Sequence, residues 1–157
     1  MDTGLESRAK EIIANIPYIT LASVTPSGLP WNSPVFAAFD EDYTFYFGTH
    51  KGSQKAVNIH ANPNLFAVIY DSTAKPGTGE GIYIQATAAA LENAGEIRLA
   101  HKLLWERHET PYWKLEEFGA NSPLALYKVV PEKVWMNDEG EADGHYIDTR
   151  TQIKLTD

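Results

Sequence analysis

Residues 18–39 read YITLASVTPSGLPWNSPVFAAF, and this stretch decides the fold class. Its flanks, 18–25 and 31–39, are rich in β-branched and aromatic residues, while PSGLP between them (26–30) is built for a turn. The stretch reads as a β-hairpin. Pro34 lies inside the second flank and has no N–H for a ladder bond, so that strand must sit at an edge or carry a bulge.

The same grammar continues outward from the hairpin. The acidic turn DED (40–42) leads into a third strand, YTFYFGT (43–49), and KGSQKAVNIHANP (51–63) reads as a short helix with Ser53 as N-cap and Asn62–Pro63 as its stop. LFAVIYD (65–71) and GIYIQATAAAL (81–91) are the fourth and fifth strands, joined by a plain glycine-rich loop that includes KPGTGEG (75–81). Upstream, Leu5, Ala9, Ile12, Ile13 and Ile16 recur at helical spacing, predicting a helix over 5–15 that lids the barrel and stops at Pro17. Residues 93–109 predict a second long helix, and YWKLEEFG (112–119) an irregular or short helical piece. LALYKVVPEKVWMN (124–137) supplies a sixth strand, or a sixth and a seventh; DEGEADG (138–144) reads as a turn or loop opening a C-terminal tail, 138–157. The expected whole is one domain, 1–157, of β-rich α+β class: an antiparallel Greek-key split β-barrel with inserted helices.

Composition narrows the functions. The chain has 157 residues, enough for one well-buried core, and no cysteine, which excludes disulfides, thiolate metal cages and a cysteine nucleophile. Thirteen basic against 21 acidic side chains leave a net charge of −8, which disfavours nucleic acid as a partner. No apolar run approaches the length of a membrane span, so the expectation is a cytoplasmic protein with no membrane partner.

In so acidic a chain a local basic cluster is informative. YFGTHKGSQK (46–55) runs an apolar strand into a Gly-Ser turn that opens a helix. Free N–H groups at the helix start, the helix dipole, the Ser53 hydroxyl and Lys51 and Lys55, four apart, can converge on one dianion. A bare helix cap with solvated lysines is the competing reading. Elsewhere the signals are weaker. His101 and His108, with Glu109 nearby, lack the spacing of a metal site, and Tyr112 and Trp113 read as core aromatics or as walls of a pocket.

In its order of pieces the chain resembles the pyridoxamine 5'-phosphate oxidase-like family of FMN-binding split barrels. The resemblance spans about 16–135 and rests on TLASVTPSGLPWNSPV, YFGTHKGSQK, HANPNLFAVIY and the closing YKVVPEKVW. It implies FMN as cofactor, bound at the interface of a homodimer, with a small-molecule substrate or electron donor. The stretch matching Asn32, Ser33, Pro34, Val35 and Phe36 would run along the flavin ring, and Phe47, Gly48 and Thr49 beneath it. Ser53 and Lys55 would hold the phosphate with Lys51 as helper, and Trp135 would reach the flavin of the partner. The oxidases carry basic residues where this chain has Asn32 and Gln54, and their His/Arg motif after the tryptophan is not recognisable in MNDEGEADGHYIDTR. The resemblance therefore implies an oxidoreductase other than a true pyridoxamine-phosphate oxidase, with no nameable acid or base. A deazaflavin reductase and a non-enzymatic flavin- or haem-binding module are the alternatives.

Overall fold

The computed structural model describes residues 4–108 and 113–157. In chain order they form α1 (Leu5–Asn15), β1 (Tyr18–Val24), β2 (Pro30–Phe36), β3 (Ala38–Phe39), β4 (Phe45–His50), α2 (Gln54–Ala61), β5 (Asn64–Tyr70), β6 (Gly81–Ala90), α3 (Ala94–Arg107), a 3-10 turn (Leu115–Glu117), β7 (Leu124–Ala142) and β8 (His145–Ile153). The predicted Glu109 and Tyr112 lie outside the described residues.

The strands form one antiparallel sheet in the order β2-β1-β5-β6-β7-β4-β3, with β8 added to β7. This is the β-rich α+β split barrel that the hairpin spacing predicts. β1 and β2 pair through seven residues from Tyr18–Phe36 to Val24–Pro30. Because no strand among the described residues pairs with β2 beyond β1, Pro34 needs no ladder donor on its outer edge, as expected of an edge strand.

Strict alternation along β1, β5 and β6 sends one face inward. Ile19, Leu21, Leu65, Ala67, Ile69, Ile82 and Ile84 join Phe45, Phe47, Val129 and Met136 in a single core, on which α1 packs Ala9, Ile12 and Ile13. The predicted lid is thus part of the core. α3 packs Ala100 into a smaller cluster with Tyr46, Leu91 and Leu126. Its Arg107 reaches across to α1, donating to the Ile13 carbonyl at 2.8 Å.

The C-terminal region differs from expectation. Of the two readings left open for 124–137 the single strand is the one observed, but it runs on to 142, so that the acidic stretch 138–142 lies within it. The residues expected as a tail return as β8, paired from Ala142–His145 to Val134–Ile153. Only Asp143 (φ 52°) and Gly144 (φ 76°) form the turn, the left-handed pair that a two-residue hairpin requires. The acidic side chains of 138–141 misled the reading because a two-stranded ribbon in water needs no apolar face to show its period.

Candidate functional site

The barrel is split between β2 and β4, and a cavity of about 380 Å³ opens there. Pro34, Val35 and Phe36 of β2 line it from one side, Gly48 of β4 and Leu126 of β7 from another. α3 and the segment after it supply the rest of the wall through His101, Leu104, Trp105, His108, Trp113 and Phe118. Lys55, from the first turn of α2, brings the wall's amine.

The start of α2 is built as its sequence predicts. Ser53 has extended backbone and its Oγ accepts from the Ala56 N–H, so the cap is in place. Thr49, buried at the end of β4, donates its hydroxyl to Ser53 Oγ at 3.2 Å and accepts from Lys55 Nζ at 3.3 Å. Lys55, Thr49 and Ser53 are therefore one hydrogen-bonded chain, ending at a helix terminus whose first N–H groups have no intrahelical partner. Such a terminus favours an anion on two counts, the helix dipole and the ammonium.

Not every predicted residue joins this cluster. Lys51 does not: its Nζ donates to the carbonyls of Gly119 and Ala120, at 3.5 and 3.3 Å, and so braces the 119–120 loop. Lys51 precedes the N-cap, so the four-residue spacing that places two side chains on one helical face does not apply to it. Gln54 turns along its own helix and donates to Asn58 Oδ1 at 2.7 Å. Phe47 points into the core, stacked on Tyr127 at 5.3 Å between ring centres, leaving only its backbone near the split. Asn32 and Ser33 lie further along β2 than the cavity-lining residues; Ser33 accepts from the Trp31 indole at 3.1 Å. Trp135 stands on the outer face of the sheet, stacked on Phe66 with ring centres 6.3 Å apart.

Sequence reasoning missed Asn58. It is fully buried, donates to Ser23 Oγ at 3.0 Å and accepts from Gln54, tying α2 to β1 directly behind the cap. A polar residue on the apolar face of a short helix was the available signal. Trp105 and Phe118 also line the cavity, and they come from segments whose sequence carries no binding pattern, whereas Phe36 belongs to the stretch expected there.

Comparison with known proteins adds the following. Solved structures of the same fold include a conserved hypothetical protein from Mycobacterium tuberculosis, at 19% identity and TM-score 0.68 over 85% of this chain and 82% of that one. The haem storage protein HutZ from Vibrio cholerae matches at 17% identity and TM-score 0.70, over 83% and 92% of the two chains. A pyridoxamine 5'-phosphate oxidase candidate from Listeria innocua matches at 22% and 0.62, over 83% and 95%. At these identities the likeness shows the fold. Among curated proteins, none matches the sequence. The pyridoxamine 5'-phosphate oxidase family model covers residues 5–138, from the first helix through the long closing strand, and the chain belongs to that family.

Proposed function

We propose that the chain is an FMN-binding flavoprotein, an oxidoreductase of small molecules that works as a cytoplasmic homodimer. The observation that carries the reading is the Lys55–Thr49–Ser53 chain at the start of α2, beside a cavity edged by the backbone of β2 and β4. The donor set suits a phosphate monoester: an ammonium, a hydroxyl and main-chain N–H groups at a helix terminus. An apolar, ring-lined cavity next to it suits a planar ring system. When bound, the flavin supplies hydride and electron transfer, while this chain's residues position it and exclude water.

The outer face of the sheet supports the dimer. Phe66 (38% exposed) and Tyr70 (47%) stand there, with Trp135 stacked on Phe66, a local concentration of aromatic surface. No helix among the described residues is long and apolar enough to cross a membrane.

The deciding experiment is purification followed by mass identification of any co-purified chromophore and titration of the stripped protein with FMN. Bound FMN, reduced anaerobically by NADH or NADPH, supports the enzyme; a protein that binds no flavin refutes the reading. A deazaflavin in its place would show as a shorter-wavelength absorbance. Haem binding is a second reading, favoured by the imidazoles of His101 and His108 on the cavity wall and by relatives such as HutZ. An intense Soret band on adding haem, with no response to FMN, would establish it instead.

A further inference from the structure

Position 48 of β4 is glycine without any conformational need, since its φ is not among the positive ones. Its reason is steric. A Cβ at Gly48 would lie 2.9 Å from Cζ3 and 3.2 Å from Cε3 of Trp113, closer than carbon atoms pack. The missing side chain is the seat of an indole.

That indole is held from several sides. His101, on α3, lies with Nε2 2.8 Å from the Trp113 carbonyl. A carbonyl only accepts, so the imidazole carries a proton on Nε2 and donates it there. Phe118 and His50 meet the indole edge to face, at 5.9 and 6.1 Å between ring centres. His101 itself packs against Trp105 at 5.3 Å and Phe118 at 6.1 Å. Trp113 is thus a fixed aromatic surface on the wall of the cavity that also holds Lys55 and the β2 edge.

The geometry points to Trp113 as the ring-stacking residue of this site: its indole, seated on Gly48, is the surface against which the planar ring of the bound ligand packs. The inference rests on the flavin reading above and assigns ring recognition to one side chain, separate from the phosphate recognition at Lys55. Aromatic pairs prefer offset or edge-to-face contact, and losing one weakens binding by about three- to tenfold.

The separation makes the test. FMN and riboflavin share a ring and differ in the phosphate, so each is titrated against the stripped wild type, Trp113→Ala, Trp113→Phe and Lys55→Ala. Trp113→Ala is expected to weaken both ligands by the same factor and Trp113→Phe to recover most of it, while Lys55→Ala weakens FMN alone. Quenching of tryptophan emission by FMN is expected to be smaller in Trp113→Phe than in the wild type, with Trp105 on the same wall supplying what remains, and this readout stands if Trp113→Ala fails to fold. Wild-type affinity for both ligands in Trp113→Ala, undiminished quenching in Trp113→Phe, or a loss confined to FMN would overturn the inference and leave the flavin reading intact. A wild type that binds neither ligand would overturn both.

Discussion

At the scale of single residues, the two lysines of KGSQK have different work. Lys55 Nζ sits on Thr49 within the anion-ready cluster, whereas Lys51 Nζ is spent on the carbonyls of Gly119 and Ala120. Lys55→Ala is expected to weaken FMN binding by about 1.5–3 kcal/mol, the range for a charge-assisted bond. Lys51→Ala is expected to leave the dissociation constant within about twofold, since rim contacts contribute little. Titration calorimetry on both variants checks this, and equal losses would dissolve the distinction. Ser53 was readable from sequence because an N-cap is a local device, settled by the few residues that follow it. Lys51 was not, because its partners are nearly 70 positions away and no local spacing encodes them. Trp113 was readable as a possible pocket wall, but its seat was not, because that seat is the absence of a side chain at position 48.

Elements show the same division. The hairpin of β1 and β2, the cap of α2 and the edge position of β2 were all legible, each resting on turn chemistry, capping or proline. The far end of β7, past residue 137, and β8 were not, because charged side chains on a solvated ribbon conceal the two-residue period that marks a half-buried strand. Asn58 joins α2 to β1 through side chains alone, and its removal strands Ser23 and frees Gln54. Asn58→Ala is expected to cost about 1–3 kcal/mol in urea unfolding, the penalty of leaving a buried group without its partner. In the double variant with Ser23→Ala the cost should be less than the sum of the single ones, since the two residues share one bond. Strict additivity would deny the link. On the ribbon, the Asp138 carboxylate accepts from Thr151 Oγ1 at 2.6 Å, and that bond holds its pKa below the ordinary carboxylate value. A depressed carboxylate stabilises the fold above its unfolded pKa and loses that effect as pH falls through the folded one. Amide protection across β7–β8, taken relative to the intrinsic exchange rate at each pH, should therefore fall in acid, and Thr151→Val should make it less sensitive to pH.

For the molecule as a whole, alkali is the condition to watch. Burial raises the pKa of Tyr127, and burial together with the bond from Tyr46 Oη to the Asp40 carboxylate raises that of Tyr46. A raised phenol keeps its proton in the fold and loses it first when unfolded. Stability is then full below the unfolded value of about 10 and falls as pH climbs from there toward the folded ones. Thermal melts in alkali should record this decline, and Tyr46→Phe should flatten it; an unchanged slope would assign the decline to other groups. Assembly is testable at the same scale. Phe66→Asp, on the outer face and away from the cavity, should halve the mass seen by light scattering if two copies meet there.

The gap between β2 and β4 carries an evolutionary consequence. One border of that gap is β2, and main-chain groups survive every substitution except proline, which already stands there as Pro34. Across from β2 are residues of α3 and the segment after it, each exchangeable by a single codon. If the proposed flavin occupies the gap, a frame of this kind can keep its grip on one guest while the company it keeps is rewritten, and descendants of such a barrel are then free to change substrates far faster than they change cofactors.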